Sequence, residues 1–486
     1  MAYQNISIMN KKKFILNIII TALVLTGTGC ENYLETNPST QVSDQILLQR
    51  VEGAQTVLNG VYRYIRNRNT DVESNGVISY QAGFDASATD IIVYESQGYM
   101  QLFYGHHLAQ TRADGGLTSG VWSYYYTIIN NVNTILQNID QAEGAQESKD
   151  AIKGQALAIR GWAYFYLVRL YQQTYSIAKD MPGVPYYDQP STEGKPREKV
   201  SVIYEHILED LLSSVDLLGT YSRQYKSQIN RSVAQGILAE VYLTMEDWNN
   251  AAAMAKEARN GFPLMTATVF RSGFNDWRIT EWMWGVEQTT DQNLGNASPF
   301  TLWANQTRGT RWTFDFYFVN DKFKELFSEN DVRSQFWQRP DRGNLWTSNK
   351  FRDDAAYMGD IVLMRAAEMY LIEAEALART GKDQQAKEML WQLQDIRQAE
   401  RTLTSGQELI EEILVERRKE LYGEGFAWFD LIRNQKALHR EGDHTRKVDI
   451  PARSWKFILQ IPTAEFTSNK SLTSSDQNPY DGIYIL

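Results

Sequence analysis

Two segments of this 486-residue chain share one spacing of small and apolar residues, and this spacing restricts the fold to packed pairs of helices. In "AEVYLTMEDWNNAAAMAKEA", offsets of 0, 3, 12, 16 and 19 hold Ala239, Tyr242, Ala251, Ala255 and Ala258. In "AEALARTGKDQQAKEMLWQL", the same offsets hold Ala374, Leu377, Ala386, Leu390 and Leu393. This is the spacing of a tetratricopeptide helical hairpin, in which small residues let two antiparallel helices approach closely.

The sequence therefore predicts an all-α fold of tetratricopeptide-like hairpins, with two unrelated helical hairpins as the alternative. Two further helical pairs are expected. The first joins "AIRGWAYFYLVRLY" to "VIYEHILEDLLSSVDLL" through a loop containing "MPGVPYYDQP". The second joins "ELIEEILVERRKELYG" to "FAWFDLIRNQKAL", and Gly423 and Gly425 are expected to break the helix between its members.

A long irregular segment separates the two repeats. Their matching positions lie 135 residues apart (Ala239 to Ala374), whereas tandem repeats would be about 34 apart. Residues 261–360 lack helical periodicity, are rich in Gly, Asn, Asp and Thr, and hold seven of the 13 tryptophans. A second irregular stretch, residues 70–119, contains "DASATDIIVYESQGYMQLFYGHH". Because long loops in compact proteins usually carry function, we expect the functional surface to lie between these two stretches.

The amino terminus has the pattern of a secretory signal. Lys11, Lys12 and Lys13 precede a short apolar run, and small residues lead to Cys30, the only cysteine of the chain. This pattern predicts cleavage before Cys30 and lipid attachment to its sulfur. The alternative is an ordinary signal peptide with Cys30 as an incidental thiol. The predicted parts are a signal peptide 1–29, an N-terminal helical part 30–260, an insert 261–360 and a C-terminal helical part 361–486.

Charge and composition exclude several classes of protein. The formal charge is −10, and removal of the three signal lysines makes it −13, so nucleic acid is an unsuitable partner. No apolar stretch after Cys30 is long enough to span a membrane. The chain has no GxSxG, HExxH or phosphate-binding glycine-rich loop, and no cofactor or metal is predicted.

Charged residues and histidines are interpreted as structural or exposed. His106 and His107 are adjacent, so their side chains diverge and a zinc site there is disfavoured. Arg365 and Glu368 are predicted to form an ion pair on one helix face. The segment "ERRKELYGEG" is expected to be a solvated or helix-packing charge cluster. Two further histidines are predicted to lie on the surface: His439 and His444.

Several motifs together resemble the SusD (RagB/SusD) family of surface glycan-binding lipoproteins. In the C-terminal third these are "MRAAEMYLIEAEALARTG", "ILVERRKELYGEGFAWFDLIR" and "ILQIPTAEFTSNKSLTSSDQNPYDG". In the N-terminal half, "CENYLETNPS", "VWSYYYTIINNVNTIL", "RGWAYFYLVRLY" and "GVPYYD" agree, so the resemblance runs from Cys30 to the end of the chain. One departure is Ala427, where the family usually has Arg, which leaves open the partners of Asp430 and Arg433.

The resemblance implies a lipid-anchored binding protein on the outer-membrane surface that delivers oligosaccharides to a SusC-like TonB-dependent transporter. It also implies four tetratricopeptide-like hairpins, a loop-rich second half and no enzymatic activity. Two alternatives remain open: a peptide-binding member of the same family, and a surface glycosidase or esterase, because any two of the 59 carboxylates could meet in space.

Aromatic residues in polar surroundings are the candidate glycan-binding residues, because flat rings stack on sugar faces and lose little rotamer entropy. Trp303 and Trp312 have such neighbours in the sequence and are expected to be exposed platforms, with core packing as the alternative for each. Tyr104 could extend the site, whereas Trp282 and Trp284 are assigned to the core. The predicted ligand-binding set is Trp303, Trp312, Tyr94, Tyr99, Asp85, Asn305 and Arg308.

Overall fold

Helices account for most of the regular structure. The computed structural model describes residues 47–66, 73–93, 100–104, 113–290, 298–303, 317–338, 345–352 and 358–480. The chain divides after Gln49, and the following description concerns the compact unit that begins at Arg50. Its described helices are α1 Val51–Arg66, α2 Val77–Ser87, α3 Gln101–Tyr104, α4 Gly116–Asn138, α5 Gln146–Tyr171, α6 Tyr175–Ala178, α7 Val200–Leu217, α8 Arg231–Met245, α9 Trp248–Ala258, α10 Ala267–Phe270, α11 Asp321–Lys324, α12 Ala366–Arg379, α13 Asp383–Ile396, α14 Gln407–Leu421, α15 Ala427–Arg433 and α16 Thr463–Ser468.

The strands are short and form two-stranded antiparallel ribbons. They are β1 Ile91–Val93, β2 Pro182–Pro185, β3 Arg197–Lys199, β4 Trp282–Val286, β5 Tyr317–Val319, β6 Trp337–Gln338, β7 Thr347–Ser348, β8 Ile361–Arg365, β9 Leu438–His439 and β10 Asp449–Ile450. The pairs are β1 with β5, β2 with β3, β4 with β8, β6 with β7 and β9 with β10. With so little sheet, the predicted all-α fold class is confirmed.

Consecutive helices pack on one another as the hairpin spacing predicts. α4 packs on α5, α5 on α7, α7 on α8 and α8 on α9. Ala239, Ala251, Ala255 and Ala258 are fully buried, and small side chains at these positions let α8 and α9 approach closely. α12 and α13 form the second predicted hairpin. Both hairpins and the pairing of α5 with α7 are therefore confirmed.

The two repeats that are distant in sequence are neighbours in space. α9 packs directly on α12, and Arg259 Nη2 at the end of α9 lies 2.6 Å from Glu373 Oε2 on α12. The chain therefore leaves the helical stack after α9, forms residues 261–360, and returns to continue the stack at α12. The described part of this insert contains only four-residue α-helices, α10 and α11. Its strand β4 pairs with β8, which leads into α12.

The insert also supplies residues to the interior. Trp282 and Trp284 on β4 are 0% and 3% exposed, which confirms their predicted place in the core. Between α14 and α15, Gly423 and Gly425 have φ angles of 79° and 93°, so the predicted break is also confirmed. A Cβ on Gly423 would lie 2.5 Å from the ring of Phe351, so this turn requires glycine to let the insert approach.

A buried cluster of ten charged residues joins the insert to α14. Arg365 Nη1 lies 2.8 Å from Glu281 Oε1 and 2.7 Å from Glu420 Oε1, and Arg397 contacts the same two carboxylates. The positive and negative members are equal in number: Arg333, Lys350, Arg365, Arg397 and Lys419 against Glu281, Asp331, Glu416, Glu420 and Glu424. Because every charge in this cluster has a partner, its desolvation cost is offset by ion pairs and hydrogen bonds.

One expectation about these charges needs correction. The expected pair of Arg365 with Glu368 is wrong, because Arg365 precedes α12 and points to Glu281, Glu420 and Glu424. Glu368 lies instead 4.0 Å from Arg417. Most of "ERRKELYGEG" is buried, so of its two predicted alternatives the helix-packing charge cluster applies and the solvated one does not. The three surrounding guanidinium groups, of Arg397, Arg365 and Arg333, hold the pKa of Glu420 well below its usual range although burial opposes this.

Candidate functional site

A groove of about 710 Å³ opens between α1, the loop that precedes α8 and the beginning of the insert. This volume falls in the range of small-molecule sites, roughly 300–1,000 Å³. The lining residues that carry polar or aromatic groups are Gln55, Asn59, Tyr62, Arg63, Arg66, Tyr221, Ser222, Gln224, Tyr225, Lys226, Ser227, Gln228, Trp277, Trp284, Glu287 and Thr289. We call this feature the groove.

Helix α1 forms one wall. Its residues at positions 55, 59, 62 and 66 are spaced for one helix face. Gln55 Nε2 donates to Asn59 Oδ1 at 2.9 Å, so one amide is oriented by the other. Tyr62 OH donates to Gln155 Oε1 and accepts from Ile229 N, both at 2.9 Å. The wall is therefore fixed to α5 and to the loop before α8, and burial raises the pKa of the Tyr62 hydroxyl.

The loop of residues 219–230 forms the second wall, and two cations fasten it to β4 and to the segment that precedes β4. Arg223 donates to the carbonyl oxygens of Gln228, at 3.1 Å, and Met283, at 2.6 Å. Lys226 Nζ donates to the carbonyl oxygens of Trp277, at 2.8 Å, and Ile279, at 2.6 Å. Backbone carbonyls, not carboxylates, therefore hold both cations in place.

The position of these cations lowers their pKa values while leaving them largely protonated at neutral pH. Burial lowers the pKa of Arg223 to about 10. Burial, together with the nearby charge of Arg223, lowers the pKa of Lys226 to about 8. The second wall of the groove is thus positively charged under physiological conditions.

Two of the aromatic side chains that line the groove are accessible to solvent. Tyr225 is 50% exposed, and Trp277 is partly exposed. The backbone N–H of Trp277 donates to Asp360 Oδ2 at 2.9 Å, and Asp360 Oδ1 accepts from the N–H of Gln288 at 2.7 Å. One carboxylate therefore fixes the backbone that carries Trp277. Rings beside amide and hydroxyl groups can stack on an apolar ligand face and hydrogen-bond to its edge.

The predicted site residue Trp303 is not an exposed platform. It is 4% exposed, and its ring lies 4.9 Å from that of Phe351 and 5.2 Å from that of Tyr317. Polar neighbours in the sequence suggested an exposed indole, but β5 and the end of α14 enclose it. The expectation of exposure is therefore wrong, and the alternative of core packing applies to Trp303.

Asp85 and Tyr104 also have internal structural partners. Asp85 is buried, and its two carboxylate oxygens accept from the N–H groups of Gly425 and Ala427, each at 2.9 Å. Burial raises the pKa of Asp85 to about 7, although the two amides oppose this shift. Tyr104 is fully buried. The predicted ligand-binding role of Asp85 is corrected to fastening the start of α15 to α2.

The remaining predicted site residues lie outside the described residues and stay predictions. They are Tyr94, Tyr99, Asn305, Arg308, Trp312 and the lipidation site Cys30. His106 and His107 also lie outside the described residues. His439 is exposed, as expected, and pairs with Asp449. His444 is only 4% exposed, so its predicted surface position is wrong.

Ala427 stands where the family motif usually has Arg, but Asp430 and Arg433 both have ion-pair partners in this structure. Asp430 lies 2.7 Å from Arg417 Nε and 2.7 Å from Arg433 Nε, and Arg433 also pairs with Glu375 at 2.6 Å. α12, α14 and α15 are joined by these contacts. In this chain, Arg417 and Arg433 thus supply the salt links of Asp430.

Sequence reasoning did not identify the loop of the groove. The segment "TYSRQYKSQ" places Tyr221 and Tyr225 among polar residues between two helices. The criterion that singled out Trp303 and Trp312, aromatic residues in polar surroundings, would also have found this loop. Trp277 belongs to the tryptophan-rich insert but was not distinguished from its other tryptophans. Among the described residues, the insert therefore contributes Trp277, and not Trp303, to the lining of the groove.

The described residues contain neither a metal-binding cluster nor a membrane-spanning helix. Among the described residues, no group of three or more His, Cys, Asp or Glu side chains is arranged to hold a metal ion. Within the same ranges, no helix combines the length and the apolar composition that a membrane span requires.

Comparison with known proteins relates most of the chain to one family. A family model described as "Starch-binding associating with outer membrane" matches residues 32–243, and one described as "SusD family" matches residues 347–480. The solved structure of a SusD-like carbohydrate binding protein from Bacteroides vulgatus is 31% identical, with a TM-score of 0.80. That alignment covers 90% of this chain and 100% of the other.

Two relatives identified by sequence support the same relationship. A SusD-like protein of Formosa agariphila is 23% identical over 498 residues, which cover 89% of this chain and 94% of that protein. A SusD-like protein of Bacteroides ovatus is 30% identical over 135 residues. The second match spans 27% of this chain and 23% of the relative's own length.

Proposed function

Because the chain belongs to the SusD family, we propose that its groove binds an oligosaccharide at the cell surface as a step in nutrient uptake. The family supports a role in carbohydrate binding and association with the outer membrane. The finer proposal is that this chain captures the oligosaccharide and passes it to a SusC-like TonB-dependent transporter. Lipid on Cys30 would keep the two proteins at a high effective concentration, so a modest interface would suffice.

One observation carries the ligand proposal: Tyr225 and Trp277 are accessible beside a row of amide and hydroxyl side chains in a single groove. Sugars present weakly apolar C–H faces and hydroxyl edges, and this combination of side chains matches both. The similar Bacteroides vulgatus protein is itself described as carbohydrate binding.

The composition of the groove favours binding without hydrolysis. Glycosidases generally use a pair of carboxylic acids on either side of the scissile bond. Of the described lining residues, Glu287 alone carries a carboxylate. We therefore expect no new reducing ends when the protein is incubated with a glycan that it binds.

Isothermal titration against a panel of oligosaccharides and peptides tests the proposed ligand class. For a bound oligosaccharide, Tyr225→Ala or Trp277→Ala should weaken binding by roughly 1–3 kcal/mol, which is about 5- to 150-fold, as for aromatic stacking elsewhere. Leu212→Ala is a matched control, because Leu212 is 46% exposed and lies on α7 outside the groove. Binding of peptides alone, or unchanged affinity in both aromatic variants, would contradict the proposal.

The proposed location and partner need a separate experiment. We expect the native protein to incorporate labelled fatty acid and to co-purify from outer membranes with a TonB-dependent transporter. Cys30→Ser should abolish the labelling while leaving glycan affinity unchanged, because the groove lies in the separate unit that begins at Arg50. A wild-type protein that carries no lipid and stays in the periplasm would refute surface anchoring.

A further inference from the structure

The groove carries a positive charge that contrasts with the acidity of the chain. The whole sequence has a formal charge of −10. Among the described residues that line the groove, however, Arg63, Arg66 and Lys226 are cationic and only Glu287 is anionic. Arg223 adds a fourth cation directly behind Lys226. A local excess of one sign in a cleft selects ligands of the opposite sign and raises their local concentration.

Two of the cations that line the groove, Arg63 and Lys226, have no carboxylate partner among the described residues. Arg63 is exposed on α1 and forms no ion pair or hydrogen bond with any other described residue. Lys226 uses two of its three N–H groups on the carbonyl oxygens of Trp277 and Ile279, and none of its described neighbours forms an ion pair with it. A cation that is already paired with a carboxylate contributes little to ligand recognition. Arg63 and Lys226 still have N–H groups that can donate to an anionic ligand.

The arrangement of cations relative to the aromatic residues fits an acidic sugar. Lys226 follows Tyr225 in the loop, and Arg63 follows Tyr62 on the opposite wall. A sugar ring that stacks on an aromatic side chain holds its substituents at the ring edge. A carboxylate or sulfate at that edge would meet the cations that flank the rings, while hydroxyl groups would meet the amides of Gln55 and Gln224.

On the premise that the groove is the glycan site, we infer that its ligand is an anionic oligosaccharide carrying uronate carboxylates or sulfate esters. Both anions are negatively charged groups that accept hydrogen bonds from guanidinium and ammonium groups. Neutral glucans and xylans lack that chemistry and should bind more weakly than acidic glycans of the same length.

The test is a panel of plant, algal and host oligosaccharides in which each acidic member is paired with a neutralised form. Uronates are neutralised by methyl esterification and sulfated glycans by desulfation, which leaves the sugar backbone unchanged. We expect the acidic form to bind at least about tenfold more tightly than its neutral partner, as for a charge-assisted hydrogen bond. Binding of the acidic form should also weaken as sodium chloride is raised from about 50 to 500 mM.

Arg63→Gln provides the decisive variant, because an exposed side chain without partners can be replaced with little effect on folding. It should reduce affinity for the acidic form about fivefold to tenfold and leave affinity for the neutralised form unchanged. Lys256→Gln, an exposed lysine on α9 outside the groove, is the matched control. Tyr225→Ala should weaken binding of both forms.

The outcomes separate this inference from the proposed function. Preferential uronate binding and preferential sulfate binding both support it and identify the anion. If neutral oligosaccharides bind as tightly as acidic ones, with no effect of salt or Arg63→Gln, the inference is overturned while the proposed function stands. If no oligosaccharide of either kind binds, the proposed function fails and this inference fails with it.

Discussion

His444 should make the folded protein sensitive to acid. Its Nε2 lies 2.8 Å from the carbonyl oxygen of Thr89, and its Nδ1 lies 3.0 Å from Tyr104 OH. A carbonyl only accepts, so Nε2 carries the proton, and Nδ1 accepts from the tyrosine hydroxyl. In the neutral ring, both nitrogens therefore have a hydrogen-bond partner. Burial, together with the nearby charge of Arg440, lowers the pKa of His444 to about 4.

The size of the effect follows from the shift in pKa. The usual value of 6.5 holds in the unfolded chain, and the folded value is about 4. Below pH 6.5 the unfolded chain gains a proton that the folded protein does not accept, so the free energy of unfolding decreases as the pH falls. At about 1.4 kcal/mol per unit, this single histidine should remove about 3 kcal/mol of stability between pH 6.5 and pH 4.

Urea unfolding of wild type and His444→Gln at several pH values between 7 and 4.5 measures this contribution. Glutamine keeps an amide donor and an acceptor but does not titrate. Other titrating groups contribute equally to both proteins, so the difference in unfolding free energy isolates His444. We expect the gap between the two proteins to change by about 2–3 kcal/mol in favour of the variant as the pH falls. Parallel pH profiles would refute the assignment of a buried neutral imidazole.

Three further substitutions test the interior. Trp303→Ala should lower the free energy of unfolding by about 3–5 kcal/mol, measured by urea titration, because it leaves a cavity between Phe351 and Tyr317; a change below about 1 kcal/mol would contradict the buried position. Arg365→Gln should cost a similar 3–5 kcal/mol, because Glu281, Glu420 and Glu424 would lose their shared cation inside the protein. Exposed Arg401→Gln is the control for that change, since its pair with Asp395 is at the surface. Glu368→Gln should reduce the loss of stability that the wild type shows as the pH rises above the usual carboxyl range, because burial and the neighbouring Glu240 raise the pKa of Glu368. Unfolding curves of the two proteins at about pH 5 and pH 8 give this difference, and equal losses in both would contradict it.

The helical hairpins could be predicted from sequence because their determinants are local. Two adjacent helices approach closely where small residues recur at a spacing that places them on one face of each helix. Ala239 on α8 and Ala251 on α9 are examples. The same applies to Gly423 and Gly425, where a positive φ ends a helix whatever surrounds it. The family motifs add order along the chain, and together these signals were sufficient for the fold class and for the existence of an insert.

Burial of polar and aromatic groups was decided only by the tertiary structure. Arg365 is buried because Glu281, 84 residues earlier, and Glu420, 55 residues later, meet it in the interior. Trp303 contacts Phe351 and Tyr422, and His444 contacts Tyr104 and Thr89, which are all distant in sequence. The polar neighbours of Trp303 and His444 along the chain therefore gave a misleading indication of exposure. The groove likewise combines α1, the loop before α8 and the insert. Periodicity reports which residues share a face of one helix, but solvent exposure depends on what the rest of the chain places over that face.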